Sequence, residues 1–365
     1  MARVIVIGGG YGGITVAKGL DPIADVVLIE RNDRFIHHAA ALRAAVDDVW
    51  AQAIFMPYSY LLNRGKVVQG NVSRVEGNTV YVYGQEPIEG DYVVLATGSS
   101  YPFPAKHITA QSAIAKHRLR ELRDGLKDAH KAVLVGAGTV GLELAGELKA
   151  TYPDMEVEIV ETEDDLLPSP GFTPEFRELV RKQVDELGID IITGAKLAYL
   201  PPTPPGTLGR FEVATTAGDT VSGDVWFQCY GSAPVTAYLK DSDYSTALNE
   251  NGTIRVLPTL QVAGHDHTYA VGDITDVPEA KRADAARSQA RVVVANIASQ
   301  IDGQEPEATY QPKRDWIVLP LGPNLGASQL FDAEGNTRVV GASETAEIKG
   351  TDLMVSIIRS QLGLP

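Results

Sequence analysis

The chain has a single cysteine, Cys229, among 365 residues. One thiol excludes an internal disulfide, a paired-cysteine redox centre and a cysteine-rich metal site. It lies inside the apolar run Val225-Trp226-Phe227-Gln228-Cys229-Tyr230, which favours packing over reactivity. No apolar run reaches about 18 residues, the length a membrane-crossing helix needs. Basic residues are also in deficit. Against 47 Asp and Glu there are 32 Lys and Arg, a formal net charge of −15. That balance argues against nucleic acid as a partner and against general attraction to anionic lipid. The opening Met1-Ala2-Arg3-Val4 carries no signal-peptide, transit-peptide or myristoylation pattern. A reducing cytoplasm is therefore the expected compartment.

What is present is glycine in a particular setting. Val4-Ile5-Val6-Ile7 reads as a buried strand, and Gly8, Gly10 and Gly13 then fit G-x-G-x-x-G before a helical pattern from Ile14. Gly8 permits the tight turn, Gly10 lets the backbone approach a pyrophosphate, and Gly13 allows close helix–strand packing. The helix N-terminus offers free N–H groups and partial positive charge to that pyrophosphate. Val26 to Ile29 reads as the next strand. Glu30 ends it, seventeen positions after Gly13, where a carboxylate accepts hydrogen bonds from ribose hydroxyls.

The device recurs. Ala132-Val133-Leu134-Val135 leads into Gly136, Gly138 and Gly141, with Thr139 and Val140 inside the turn. The strand Glu156 to Val160 follows, and Glu161 ends it, twenty positions after Gly141. Two nucleotide folds in one chain imply two bound dinucleotides and electron transfer between them. Glu161 accepts from the 2′-hydroxyl of NADH and repels the 2′-phosphate of NADPH. Glu163, Asp164 and Asp165 add to the repulsion with no arginine nearby in sequence, so NADH is expected over NADPH. Glu143, just after the second fingerprint, is a candidate for the nicotinamide side, with an exposed helix charge as the plain alternative.

Between the fingerprints, residues 66–95 read as a small antiparallel β insertion, from Lys66-Val67-Val68-Gln69 through the Gly77-Asn78 turn. It closes on Tyr92 to Leu95 and then Ala96-Thr97-Gly98, small residues that let the chain pass close to a cofactor. The segment Asp224 to Gly231 mirrors that passage and marks the return to the first domain. His37 and His38 stand together, but with one acid near, Asp33, and no cysteine, they do not form a metal site. One is expected to pack and one to hydrogen-bond near the cofactor. Arg43 is expected to touch the cofactor rather than remain a solvated charge. Thr268 to Val271 reads as a strand ending in Gly272-Asp273, which places a carboxylate where a ribityl hydroxyl can reach it. A helix over 282–301 would aim positive potential at the same place, and Lys281 is a candidate contributor. The last sixty residues read as three strands and a helix over 351–362. Its apolar side can rest on the protein, on a second copy in a homodimer, or peripherally on the inner face of a membrane. Burial against protein is favoured because basic residues are few.

With both fingerprints, Ala96-Thr97-Gly98 and Gly272-Asp273 in place, the chain resembles the two-dinucleotide flavoprotein oxidoreductases along nearly its whole length. Within them it looks most like the ferroptosis-suppressor/apoptosis-inducing-factor-2-like branch, relatives of type II NADH dehydrogenases. The closest local matches are His37-His38-Ala39-Ala40-Ala41-Leu42-Arg43-Ala44, Val140-Gly141-Leu142-Glu143-Leu144-Ala145 and Tyr269-Ala270-Val271-Gly272-Asp273. The resemblance implies an α/β fold of two Rossmann-like domains with the β insertion and a small α+β C-terminal domain. The expected division is 1–103 with 231–305 for FAD, 104–230 for NAD(P)H, and 306–365. It implies FAD contacts at Gly8, Gly9, Gly10, Tyr11, Gly12 and Gly13, and at Arg43, Val67 and Asp273. Glu30, Arg31, His38, Ala96, Thr97, Gly98 and Gly272 join them by position. The NAD candidates are Gly136, Gly138, Thr139, Val140, Gly141, Glu143, Glu161 and Gly231. The expected reaction is hydride transfer from NADH to FAD, with a quinone as acceptor by resemblance. A ferredoxin or rubredoxin reductase, an NADH oxidase and an NADH-sensing interaction protein stay open as alternatives.

Overall fold

The computed structural model describes all 365 residues. Arg3–Ile7 lies near the middle of a six-stranded sheet. Its order is Gln261–Val262, His265–Ala270, Tyr92–Leu95, Arg3–Ile7, Asp25–Glu30 and Lys66–Gln69. All neighbours run parallel except the Gln261–Val262 edge hairpin. Val4 to Ile7 are buried without alternation, as strands covered on both faces must be. Helices Tyr11–Leu20 and Ala283–Ile301 cover one face and pack on each other. A Cβ on Gly19 would meet Val294 at 2.8 Å, and one on Gly12 would meet Val271 at 3.0 Å.

Lys66–Gln69 is not part of the antiparallel insertion, contrary to its sequence reading. It is the parallel edge strand beside Asp25–Glu30. The insertion is only Val72–Glu76, Thr79–Val82 and Ile88–Glu89. A short β-branched run has the same pattern in either place, so periodicity could not separate them.

The second sheet is wholly parallel, in the order Ile189–Ile192, Glu156–Val160, Lys131–Val135, Val225–Gln228. The two chain passages between the sheets lie side by side. Ser99–Ser100 pairs antiparallel with Ala233–Pro234. This brings together the segments that follow strands Tyr92–Leu95 and Val225–Gln228.

The C-terminal sheet is Ile317–Leu321, Leu325–Phe331 and Thr337–Val340, all antiparallel. It rests on helix Thr139–Thr151 at backbone range: a Cβ on Gly146 would stand 2.5 Å from the Leu321 backbone. The expected 351–362 helix is shorter and starts at Val355. Before it, Ala342–Thr345 and Ala346–Gly350 form helical turns that the sequence reading lacks. Leu353 and Met354 adopt φ of 47° and 61°, reversing the chain so that Leu353 is buried and its carbonyl meets His37. Ile358 and Leu362 are buried against the first domain, and Ile357 is exposed. Lys18 Nζ caps this helix at the Gln361 carbonyl, 2.6 Å away. No helix is long and apolar enough to cross a membrane.

Candidate functional site

The first glycine turn is built by close approach. Gly8 has φ 103°, and a Cβ there would stand 2.4 Å from the Ala96 carbonyl oxygen. A Cβ on Gly13 would stand 1.8 Å from the Gly8 carbonyl oxygen. Any side chain would therefore push helix Tyr11–Leu20 off its strand. Gly10 differs: nothing lies within 4 Å of its missing Cβ, and no side chain caps the helix start. The space and the unpaired amides suit a pyrophosphate. Glu30 braces the turn, accepting from Gly9 N at 2.5 Å and Asn32 N at 2.8 Å. Burial raises its carboxyl, although these amides pull the other way. A cavity of about 480 Å³ opens beside it, lined in part by Asn32, Arg34, Tyr58, Leu62 and Val67. It offers room for an adenosine.

The second turn repeats the first nearly atom for atom. Gly136 has φ 108°, and a Cβ on Gly141 would stand 2.0 Å from the Gly136 carbonyl oxygen. Gly138 is open, and helix Thr139–Thr151 also starts without a side-chain cap. Glu161 accepts from Ala137 N at 2.6 Å and Glu163 N at 3.0 Å, the counterparts of Gly9 and Asn32. Thr139 and Val140 begin the helix, and Gly231 (φ 97°) turns the chain out of the strand that backs it. One sequence expectation needs correcting here. An arginine does stand by the acidic run: Arg181, from helix Pro174–Glu186, pairs with Asp165. It stands sixteen residues beyond Asp165 and is brought back to it by the packing of that helix.

At the same C-terminal edge of the first sheet, Asp273 follows Gly272 in a short helical turn. Gly272 N donates to Gln289 on helix Ala283–Ile301 at 2.7 Å, fixing the turn to the helix start. Asp273 accepts the Ser99 hydroxyl at 2.5 Å, and Lys106 Nζ lies 3.3 Å away. Thr97 Oγ1 donates to the Val235 carbonyl at 2.6 Å, and Gly98 has φ 65°. Ala96, Thr97 and Gly98 thus pass directly beneath the first turn. Lys281 does not join this group. Its ammonium, pushed down by burial, donates to the Thr275 and Val277 carbonyls at 2.9 and 2.7 Å.

The histidines divide their work. His37 Nε2 donates to the Leu353 carbonyl at 2.7 Å, and Nδ1 lies 2.9 Å from the Tyr11 hydroxyl. That hydroxyl also accepts from Ala39 N. His37 is therefore a neutral strut between the first turn and the C-terminal segment. His38 keeps an unpartnered Nδ1 and is held well below the usual histidine range, first by burial and then by Lys106 and His107. Arg31 is exposed and reaches the His107 carbonyl at 3.5 Å.

Arg43 has another partner than the expected one. Its guanidinium forks onto Glu147 (2.8 to 3.0 Å) and donates to the Gly350 carbonyl at 2.6 Å, out of solvent. Glu143, one turn earlier on the same helix, takes Lys349 Nζ at 2.6 Å. Glu143 is thus neither a free surface charge nor open to a ligand as it stands. The two ion pairs join the first domain, the second fingerprint helix and the C-terminal unit. Lys106, Ser99, Glu147 and Lys349 were missed in the sequence because each acts through a partner far along the chain. Only the small-residue run after Leu95 hinted at Ser99.

Two braced glycine turns, each with an open, uncapped helix start, suit two dinucleotides. The family model for pyridine nucleotide-disulphide oxidoreductases matches residues 2–290. Ferroptosis suppressor protein 1 of Homo sapiens is 30% identical over 361 residues, covering 97% of this chain and 94% of that protein. Apoptosis-inducing factor homolog B of Dictyostelium discoideum is 28% identical over 381 residues, covering 100% and 97%. The solved sulfide:quinone oxidoreductase of Aquifex aeolicus shares the fold with a TM-score of 0.78 at 19% identity, over 100% of this chain and 92% of that one. The chain belongs to the pyridine nucleotide-disulphide oxidoreductase family and is an FAD- and NAD(P)H-dependent oxidoreductase.

Proposed function

We propose that the protein oxidises NADH through FAD and delivers the electrons to a quinone-type acceptor. The observation that carries the exit route is Cys229. It is the only thiol, it is buried, and burial pushes it up to about 12. A thiol held protonated at neutral pH neither cycles as a sulfenate nor attacks a disulfide. Electrons must therefore leave without a protein sulfur, to an acceptor that reaches the flavin itself. The fold shared with a sulfide:quinone oxidoreductase supports a quinone.

Each part of the chain then has a task. Residues 1–103 with 231–305 hold FAD, residues 104–230 hold the nucleotide donor, and 306–365 close over their junction. The amides at Gly10 to Gly13 and Gly138 to Gly141 bind the pyrophosphates, and Glu30 and Glu161 accept ribose hydroxyls. Asp273 accepts a ribityl hydroxyl. FAD held by these residues would supply a ring able to accept a hydride. The start of helix Ala283–Ile301, next to the Gly272 turn through Gln289, would favour negative charge on a ring bound there. Glu161 supports NADH as donor, with Asp164 unpaired beside it and Asp165 offset by Arg181.

The test is spectroscopic. The purified protein should be yellow, bleach with NADH faster than with NADPH, and regain colour rapidly with a soluble quinone analogue. Bleaching followed by slow reoxidation with every quinone tried would overturn the acceptor assignment while leaving the donor intact.

A further inference from the structure

Asp273 is tied down on one side only. Its Oδ2 accepts the Ser99 hydroxyl at 2.5 Å and stands 3.3 Å from Lys106 Nζ, while no protein group bonds its Oδ1. Lys106 also donates to Ser99 Oγ and to the Ser99 carbonyl, both at 2.7 Å. The three side chains form a closed triangle. The Lys106 and Asp273 side chains are 25% and 20% exposed, so water screens them less than a surface pair. Lys281, the other cation near Asp273 in sequence, is already committed to loop carbonyls.

Lys106 belongs to the passage between the two sheets, just after Ser99–Ser100 pairs with Ala233–Pro234. Its stem therefore links the crossover to the carboxylate that follows strand His265–Ala270. A lone carboxylate there would oppose negative charge arriving with a hydride. A carboxylate matched by an ammonium would not.

We propose that Lys106 is a positioning residue for FAD. With Ser99 it pins Oδ2 of Asp273, leaves Oδ1 for the ribityl chain, and cancels the carboxylate's charge beside the flavin. The proposal rests on the reading of Asp273 as a ribityl ligand.

The experiment compares K106M, K106R and D273A with the unaltered protein. Two quantities are read: the FAD dissociation constant, by flavin fluorescence titration, and the flavin midpoint potential, by spectroelectrochemistry. The expected result is about tenfold weaker FAD binding in K106M, the scale of one lost charge-assisted bond, with a more negative potential. K106R should restore both, since it keeps the charge. Wild-type affinity and potential in K106M, with D273A weakened, would overturn the role of Lys106 and leave Asp273 in place. Equal losses in K106M and K106R would also overturn it, because charge would then not matter. Wild-type FAD affinity in D273A would remove the reading of Asp273 and the proposal with it.

Discussion

Changing Arg43 to Met should destabilise the protein without removing a cofactor contact. Both side chains of the Arg43–Glu147 pair are only 6% exposed. Removing the arginine leaves a buried carboxylate without its counter-charge, a loss of about 3–5 kcal/mol. The Gly350 carbonyl loses its donor as well, a further cost of about 1 kcal/mol. An unfolding entropy of about 2.1 cal/mol/K per residue gives about 0.77 kcal/mol/K for 365 residues. A loss of about 4–6 kcal/mol therefore lowers the melting temperature by about 5–8 °C. The double variant R43M/E147M removes the stranded charge and should recover most of this, leaving a deficit of about 1–2 °C.

The pH dependence separates this account from simple loss of packing against Trp50, which Arg43 overlies at 5.3 Å. Burial already raises the Glu147 carboxyl, and Arg43 holds it down. Without Arg43 its folded pKa climbs further above the unfolded value, so the folded state favours the protonated acid. The penalty is full above that raised pKa and shrinks as pH falls through it. Melting followed by circular dichroism from pH 8 to pH 5 should show R43M approaching the unaltered protein toward acid, with R43M/E147M parallel to it throughout. Equal deficits in single and double variants at every pH would refute the stranded-charge explanation. Loss of FAD from R43M well below its melting temperature would instead restore Arg43 to the cofactor.

His107 lies between the Phe55 and Phe103 rings, 2% exposed, with neither ring nitrogen partnered, and burial with Arg118 pushes it down to about 4. Its unfolded value is about 6.5, so the unfolded chain binds more protons between those limits. Stability from this site is full above about pH 6.5 and declines toward pH 4, by up to about 3 kcal/mol. H107L should flatten that part of the denaturant-midpoint profile, and an unchanged slope would show that other groups set it. G141A would place a Cβ 2.0 Å from the Gly136 carbonyl oxygen. It should abolish bleaching by NADH while leaving FAD bound, and normal bleaching would mean the second turn is not the donor site. E161Q should reduce the NADH over NADPH preference in kcat/KM about tenfold, some 1.4 kcal/mol, and an unchanged ratio would remove the specificity assignment.

The local devices were legible because each is a short-range steric or hydrogen-bonding need. Gly8 and Gly136 require positive φ, Gly13 and Gly141 cannot carry a Cβ, and Glu30 and Glu161 stand at strand ends and accept from the amides of the turns. What sequence hid was who pairs with whom. Arg43 and Glu147 are separated by 104 positions, Glu143 and Lys349 by 206, and His37 and Leu353 by 316. No periodicity encodes such partners, so the helix positions of Arg43 and Glu143 do not reveal the ion pairs that Arg43 makes with Glu147 and Glu143 with Lys349. The C-terminal helix is shorter than its sequence pattern for the same reason. Its apolar spacing runs back through Leu353, but that residue is drawn into a left-handed turn by burial and by the His37 bond.

The lone cysteine shows how far duplication governs this chain. Ala96 backs the first turn: its carbonyl crowds Gly8, and its Cβ lies 3.5 Å from where a Gly13 Cβ would be. Cys229 backs the second in the same way, its carbonyl 3.1 Å from a Gly136 Cβ and its own Cβ 3.3 Å from a Gly141 Cβ. The two residues are counterparts, at the ends of equivalent strands. Cys229 is thus a small buried side chain chosen for volume, and C229A should preserve NADH binding and bleaching. On the proposed assignment of the two turns, a cysteine placed to exchange electrons would sit beside Asp273, not behind Gly136 and Gly141. In a family named for disulphide chemistry, its position in this chain separates the nucleotide cradles, which are kept, from the thiol step, for which no second cysteine exists.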